Sequence, residues 1–266
     1  MLDFIQASVV ILTLALAIAL GRLLAPYVTR VFARKPSRLD RFLCPIENWI
    51  YKVGGVSPNH SMDWKEYFLS LMLLNVFQMA LAFLIFVFQD RLPLNPQGFP
   101  GLTWDLAFMQ VISFATNTNL QHYNGESTLS YLSEMTAVQF LQFISAASGI
   151  CAAIALARGF ATGSKDLGNF YVDFVRSLTR VLFPLCFVAS LILVWLGVPQ
   201  TLSGYTAVKT VEGATQLILV GPVASLVSIM QIGTNGGGYY GANSAYPFQN
   251  PSPASDFLEI ILMLLM

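Results

Sequence analysis

The segments 114-FATNTN-119 and 232-IGTNGGG-238 decide the fold that this sequence predicts. Each follows a short apolar stretch, residues 106–115 and 220–232, which falls short of the roughly 20 apolar residues that a membrane-spanning helix needs. Each then turns polar, and in the alignment of the two segments their Thr-Asn pairs coincide. Because threonine, asparagine and glycine favour turns and unwound backbone, the sequence predicts two short helices that dip into a membrane, each followed by a re-entrant loop.

The composition supports a membrane protein. Of the 266 residues, 55% are hydrophobic and 11% are charged, whereas an average soluble domain has roughly 25% charged residues. The net charge is zero, which argues against a nucleic-acid partner. The cysteines Cys44, Cys151 and Cys186 lack the spacing of a zinc or redox motif, so we expect neither such a metal site nor a covalently bound cofactor.

Longer apolar runs are predicted to cross the membrane as helices. The first run, residues 4–24, has no basic residue before it, so we expect a retained helix and not a cleaved signal peptide. A last run starts near Phe257 and stops at Met266, from which we expect the chain to be part of a longer protein. The other predicted spans are residues 67–88, 135–157 and 181–198, the last extended towards its start by residues 171–180.

The order of these segments predicts an internal repeat. A first transmembrane helix and a basic loop with an interfacial helix at residues 43–56 occupy residues 1–65. Two copies of a unit made of span, short helix, polar loop and span follow in residues 66–158 and 159–266, the second truncated in its last helix. The predicted fold class is therefore all-α, a polytopic membrane protein in which parallel repeats enclose a pathway.

Basic residues are concentrated on one side of this topology. Residues 22–65 hold eight Lys and Arg, the segment joining the third and fourth spans holds four, and the remaining loops hold two. Because cytoplasmic loops carry an excess of Lys and Arg, we predict that the N-terminus lies outside and that both short helices enter from outside. We also expect Asp173 to cluster with Arg176 and Arg180 at the cytoplasmic end of the fourth span. The four basic residues between the third and fourth spans are Arg158, Lys165, Arg176 and Arg180, and the two in the remaining loops are Arg91 and Lys209.

The unwound backbone of the two loops needs polar surroundings, because at membrane depth it is tolerated only inside protein or beside a water-filled cavity. A ring of carbonyl groups can replace the hydration shell of a cation, and the negative C-terminal ends of the short helices favour that cation. Divalent sites usually recruit carboxylates, which both loops lack, so the loops predict a filter for a monovalent ion. The predicted filter residues are Thr116, Asn117, Thr118 and Asn119 in the first loop and Thr234, Asn235, Gly236, Gly237 and Gly238 in the second.

Other interpretations of these residues are possible. Residues 232–238 alone would also suit a glycine-rich linker, and the first loop alone could be a polar helix cap. A phosphate-binding loop would need a Gly-Lys-Ser/Thr that does not follow. Glu126 could draw cations to the mouth of the filter or be a surface or helix-start carboxylate, and Glu134 is expected near the membrane interface.

Motifs along the whole chain match a known family. They include 104-WDLA-107, 121-QHYNGE-126, 145-SAASG-149, 210-TVEGA-214 and 221-GPVAS-225, in addition to the two loop segments. With these motifs the sequence resembles the N-terminal half of the KdpA family, the channel-like, potassium-binding subunit of the bacterial Kdp potassium-transporting P-type ATPase. The resemblance implies pore repeats of the potassium channel and transporter type.

The resemblance also implies a function and partners. In the bacterial inner membrane, K⁺ would enter the filter from outside and pass to an ATP-hydrolysing KdpB-like subunit, with KdpC-like and KdpF-like subunits completing the complex. By motif match, Gln121 would tune ion binding and Gly236 would set selectivity. The sequence has no nucleotide loop, phosphorylatable aspartate motif or paired catalytic carboxylates, so we expect no catalytic site in this chain. Half a filter cannot encircle an ion, so we expect no transport by this chain alone.

Three alternatives remain from the sequence. An independent cation channel or transporter of the Trk/Ktr kind would not co-purify with an ATPase subunit. A membrane-embedded enzyme would need a cluster of titratable residues at one depth, and the sequence does not indicate one. A non-functional gene fragment would lack further repeats in the downstream DNA.

Overall fold

The computed structural model describes residues 4–163, 166–241 and 243–266, so Lys165 of the basic segment lies outside the described residues. In chain order the elements are α1 (Phe4–Phe32), α2 (Asp40–Val53), α3 (Trp64–Val87), a 3₁₀ turn (Gln89–Arg91), α4 (Trp104–Ala115), α5 (Gly125–Thr128), α6 (Tyr131–Ser133), a π-helical segment (Glu134–Val138), α7 (Gln139–Thr162), α8 (Phe170–Arg176), a second π-helical segment (Ser177–Leu182), α9 (Phe183–Trp195), β1 (Thr206–Lys209), β2 (Thr215–Ile218), α10 (Val223–Ile232) and α11 (Pro253–Leu264).

Four helical stretches of the described chain are long and apolar enough to cross a membrane. They coincide with the four predicted spans, so the predicted polytopic, helical membrane fold is confirmed. The first span continues to Phe32 instead of ending at residue 24. The third and fourth spans are composite, because each joins two α-helices through a π-helical segment. The four stretches are Gln6–Phe32, Trp64–Val87, Tyr131–Ala161 and Phe170–Trp195.

Pro184 explains the irregular helix of the fourth span. A proline lacks the N–H that would bond the carbonyl four residues earlier, and its ring clashes with that carbonyl. The carbonyl concerned belongs to Arg180, and it accepts a hydrogen bond from the Tyr27 hydroxyl at 2.7 Å instead. The first span therefore supplies the donor that the proline removes.

Helix α2 has the two-faced character predicted for an interfacial helix at residues 43–56. Its buried side carries Glu47, which accepts a hydrogen bond from Nε of Arg180 at 2.6 Å. Its other side leaves large apolar residues exposed at spacings of three and four, as expected of a helix that lies on a membrane surface. These residues are Phe42, Ile46, Trp49 and Val53.

The charged residues of the fourth span do not form the single cluster that we predicted. Asp173 pairs with Arg158 of the third span, with 2.9 Å between Oδ1 and Nη2. Arg180 is bound by Glu47 of α2, and Arg176 donates to a backbone carbonyl of α1. Asp173 and Arg180 are only 1% and 3% exposed. Because a buried charge is costly unless paired, each of them binds a partner from a different neighbouring helix.

The third span is the central element of the fold, and its helix α7 packs against α3, α4, α8 and α10. Leu141 belongs to a hydrophobic core that also contains Phe114 of α4 and Leu226 of α10. Ile144, one turn further along, belongs to a second core that contains Leu182 of the fourth span. Both short helices are thus positioned against one membrane-spanning helix.

The structure contains a small hairpin, formed by β1 and β2, that the sequence analysis did not predict. Its antiparallel register pairs Thr206 with Ile218 and Lys209 with Thr215. Gly213, in the connecting turn, adopts a left-handed backbone with φ 84°. The strands are four residues long and almost wholly exposed, so they lack the alternation of apolar and polar residues that indicates a strand.

Candidate functional site

Both short helices end in the same backbone geometry, a Schellman motif. The N–H of Thr118 after α4 and the N–H of Asn235 after α10 each donate to the carbonyl five residues earlier, at 2.9 and 2.8 Å. The preceding residues, Asn117 and Thr234, have left-handed backbone with φ 58° and 51°. This conformation is common for asparagine and unfavourable for a β-branched residue, and such strain costs about 1–3 kcal/mol.

The helix ends correct the predicted alignment of the two loops. Thr116 is the C-cap of α4, whereas Gly233 is the C-cap of α10. Asn117 therefore occupies the position of Thr234, and the two Thr-Asn pairs are displaced by one residue relative to the helix ends. Equivalent backbone positions thus carry different side chains, so the two loops are not side-chain copies of each other.

The first loop (residues 116–119) and the second loop (residues 234–238) lie against each other. The Asn117 side-chain amide donates to the Thr234 carbonyl at 3.4 Å. The Ser145 hydroxyl lies 3.2 Å from the side-chain oxygens of both Asn117 and Asn235. The structure therefore brings together, from sequence positions more than a hundred residues apart, the two sets of residues that we predicted to share one site.

The first loop is braced from within its own repeat. The Ser113 hydroxyl donates to the Leu120 carbonyl at 3.0 Å, and the hydroxyls of Thr116 and Thr118 are 2.9 Å apart. Among the described groups, no donor bonds the backbone carbonyls of residues 116–119. The hydrogen bonds that hold this loop therefore do not use these four carbonyl oxygens.

The second loop is braced mainly from outside its repeat, by amide side chains of the first repeat. The Gln121 side chain makes a two-point contact, accepting from the Gly238 N–H and donating to its carbonyl, both at 3.0 Å. In the described chain, the carbonyls of residues 235 and 237 accept no hydrogen bond and alternate with three that do. Those three, at residues 234, 236 and 238, accept from Asn117, Gln142 and Gln121 respectively.

Glycine is required at two positions of the second loop. Gly237 has φ 81°, and a Cβ there would lie 2.6 Å from Oε1 of Gln121. Gly238 has φ 140°, and a Cβ there would lie 2.5 Å from Nε2 of Gln249. The side-chain amide oxygen of Asn243 also accepts the Gly237 N–H. At these two positions the amide groups of Gln121, Asn243 and Gln249 therefore leave no room for a side chain.

The sequence analysis missed the polar residues of α7 that hold the site. Buried Gln and Ser recur at every third position over residues 139–148 of this helix, and each bonds a different group at or beside the site. The first of them donates to the Pro222 carbonyl at the start of α10, and the last accepts from Asn75 of α3. Such a polar stripe in a membrane-spanning helix indicates helix–helix contacts, so its spacing could have identified these residues from the sequence. They are Gln139, Gln142, Ser145 and Ser148.

A cavity of about 590 Å³ adjoins both loops. Thr116, Asn117 and Thr234 form its wall at the loops, and Asn75 and Ser148 add polar groups among apolar side chains of α3 and α7. The cavity is large enough for several water molecules, each of which occupies about 30 Å³ in the liquid.

The two glutamates beyond the first loop are buried, which corrects the exposure expected for Glu134, while Glu126 lies in the first turn of α5 and matches the helix-start alternative. Glu134 is 1% exposed, and neither of its oxygens has a partner among the described groups. Glu126 is 8% exposed, and burial raises the pKa of its carboxyl group above the ordinary value. The Glu126 N–H donates to the Tyr239 carbonyl at 3.1 Å. This segment therefore joins the exits of the two loops and does not present free charge at the surface.

Comparison of the sequence with known proteins identifies its family. Residues 10–266 match the family model described as KdpA, potassium-transporting ATPase A subunit. The chain is 48% identical over 253 residues to the potassium-transporting ATPase potassium-binding subunit of Caldanaerobacter subterraneus subsp. tengcongensis, and this match covers 95% of the chain and 45% of the relative.

A protein of the same name from Leptospira interrogans serovar Lai is 50% identical over 239 residues, which are 89% of the chain and 42% of that relative. A second Leptospira interrogans protein of that name, from serovar copenhageni, is 49% identical over 239 residues, with the same coverage of 89% and 42%. The chain thus spans less than half the length of these relatives. The resemblance noted from the sequence motifs is confirmed, and this chain belongs to the KdpA family of potassium-transporting ATPase A subunits.

Proposed function

We propose that this chain forms the N-terminal half of the potassium-binding and translocating subunit of an ATP-driven K⁺ importer. The observation that carries the proposal is the meeting of two unwound loops with unbonded carbonyls, at residues 116–119, 235 and 237, in a protein of this family. The relatives are named as potassium-binding subunits of a potassium-transporting ATPase. An uncharged oxygen site of this kind suits a monovalent cation that must bind and then leave.

The loops would act by replacing water with backbone oxygen. Carbonyl dipoles substitute for the hydration shell of a K⁺ ion and must hold it weakly enough for release. The Schellman ends of α4 and α10 direct their negative helix termini towards the loops, which favours a cation there. The ion would then pass into the cavity of about 590 Å³ and regain water.

The distribution of basic residues and the family support a direction of transport and a source of energy. The loops of residues 22–65 carry the excess of basic residues, so we assign that face to the cytoplasm of the bacterial inner membrane and the N-terminus to the outside. K⁺ would thus enter from outside and pass to a KdpB-like ATPase subunit, with KdpC-like and KdpF-like subunits in the complex. This chain would bind and pass K⁺, and it would have no catalytic site.

The proposal is tested in the full-length subunit assembled with its ATPase partner. We expect the partner to co-purify and its ATP hydrolysis to respond to K⁺ at concentrations where Na⁺ has no effect. Gly236→Asp places a carboxylate beside Asn119 and Asn243, where a Cβ already has neighbours at 3.3 Å, and should abolish this preference for K⁺. Gly236→Asn is the matched control, because it has the same size without the charge.

Two results would contradict the proposal. An unchanged K⁺-over-Na⁺ preference in Gly236→Asp would show that Gly236 does not line the filter. A subunit that transports K⁺ without co-purifying any ATPase would identify an independent channel or transporter instead. A difference between the Asp and Asn variants separates the effect of charge from that of bulk.

A further inference from the structure

A second cavity, of about 570 Å³, lies at the opposite end of the spans from the mouth of the loops. It opens where α1 ends, and the connection from α1 to α2 forms one wall. Arg30, Lys35 and Arg38 line it together with Arg180, while Tyr27 forms part of its apolar wall. None of these residues belongs to the proposed filter, so the cavity needs an explanation of its own.

The charge of this cavity is not neutralised. In the described part of the chain, the exposed side chains of Arg30, Lys35 and Arg38 form no ion pair with a carboxylate. The nearby acid Asp40 is already bound to Arg180, with 2.5 Å between Oδ1 and Nη1. The cavity therefore holds one internally neutralised arginine and three cations that are free to bind an anion.

The surroundings of the cavity are apolar and suited to lipid chains. Leu23 of α1, about two turns before Arg30, is 76% exposed, and α1 is the span with the smallest buried share, 11%. On the far side of the connection, Trp49 and the other exposed apolar residues of α2 form a second surface of this kind. A cationic cavity between two apolar surfaces matches a molecule that has an anionic head and two hydrocarbon tails.

We propose that this cavity binds the headgroup of an anionic phospholipid, with its phosphate held by Arg30, Lys35 and Arg38 and its acyl chains lying along α1. Basic pockets between helix ends at the cytoplasmic side of membrane proteins are suited to such lipids. A zwitterionic lipid would bring a positive ammonium group to the same cations and would bind more weakly. A soluble phosphate would gain the charge contacts without any burial of acyl chains.

Arg180 gives the site a connection to the rest of the fold. Its guanidinium fixes α2 through Glu47, and its backbone carbonyl binds Tyr27 of α1. The lipid site thus lies at the point where α1, α2 and the fourth span are joined. A lipid held there would stabilise the position of α2 on the membrane surface.

Native mass spectrometry of the complete complex, released from nanodiscs that contain both phosphatidylglycerol and phosphatidylcholine, tests this proposal. We expect phosphatidylglycerol to be retained preferentially. The triple variant Arg30→Gln, Lys35→Gln, Arg38→Gln should lose that preference, with affinity falling about fivefold for each cation removed. The matched control is Arg41→Gln, Lys52→Gln, Lys65→Gln, which removes three exposed cations of the same face outside the cavity and should keep the preference.

Each other outcome overturns the proposal. Equal losses in the two triple variants would indicate general surface attraction and no site. Displacement of the bound lipid by millimolar inorganic phosphate would indicate a site for a soluble anion. Failure of the wild-type complex to retain phosphatidylglycerol would show that the cavity does not hold an anionic phospholipid in the assembly. All six substituted side chains are solvent-exposed, so a change in melting temperature is not expected and serves as the check on folding.

Discussion

The first and second loops have the same helix ends but different supports. The first loop is held by Ser113, a residue of its own short helix, and its carbonyls stay unbonded. The position of Ser113 corresponds to Met230 in the second repeat, because both carbonyls receive the N–H five residues later. Methionine offers no such donor, and the second loop is held instead by Gln121 and Gln142 of the first repeat, together with Asn243 of its own repeat. The shape of the second loop therefore depends on the first repeat, whereas the reverse dependence is slight.

The largest effect is expected from Gly237→Ala. A left-handed backbone costs about 1–2 kcal/mol for a residue with a Cβ, and the Cβ would lie 2.6 Å from Oε1 of Gln121 and 3.2 Å from the Phe114 ring. Overpacking adds about 1–3 kcal/mol. We expect K⁺ activation of the complete complex to require at least about tenfold more K⁺, which corresponds to about 1.4 kcal/mol.

The control for this substitution is Gly21→Ala. Gly21 lies within α1, away from the loops and the cavity beside them, and a Cβ there would meet no atom within 4 Å, so this change should leave the K⁺ requirement unaltered. If both variants respond alike, or if Gly237→Ala binds K⁺ normally, the second loop is not confined as the structure indicates.

A smaller effect is expected from Gln142→Leu, which tests the support of the second loop by the first repeat. The change removes the donor to the Gly236 carbonyl, and leaving a buried acceptor unsatisfied costs about 1–3 kcal/mol. The bond from Asn235 to the backbone carbonyl of Gln142 at 3.0 Å does not depend on the side chain and survives. We expect a lower K⁺ affinity together with lower thermal stability.

Gln139→Leu separates these two readouts. The Gln139 side chain donates to the Pro222 carbonyl, at the start of α10 and away from the loop. It should lower the melting temperature by a similar amount while the K⁺ affinity stays unchanged. Equal losses of K⁺ affinity in both variants would mean that α7 acts on the site only through general stability.

The fold could be predicted from the sequence because its signals are local. Apolar runs give the spans, and Thr, Asn and Gly after a short apolar stretch give the re-entrant loops. The π-helical segment before Pro184 could not be predicted, because it depends on a donor, Tyr27, from another helix. The hairpin of β1 and β2 was not predicted because its short strands are exposed and show no alternation of apolar and polar residues.

The site could be predicted only in part. The residues of each loop are contiguous in sequence, and the repeat predicted that the two loops share one site. The one-residue displacement of the Thr-Asn pairs depends on where each helix stops, which the alignment of side-chain types does not reveal. The burial of Glu134 and the bond from Gln142 to Gly236 are tertiary contacts, which no local sequence pattern determines. The three-residue spacing of polar residues in α7 is a signal for the contacts of Gln142, but not for the burial of Glu134.

The smallest effect is expected from Ser113→Ala, which removes the internal brace of the first loop. The lost bond to the Leu120 carbonyl contributes about 0.5–1.5 kcal/mol, and Leu120 is 59% exposed, so water can replace the donor. The Ser113 backbone carbonyl still accepts the N–H groups of Thr118 and Asn119 at 2.9 and 3.0 Å, and the Schellman end of α4 is retained. K⁺ affinity measured as for Gln142→Leu should therefore fall by less than in that variant. A larger loss in Ser113→Ala would reverse the comparison, because the first loop would then depend on one hydroxyl more than the second depends on an amide from the neighbouring repeat.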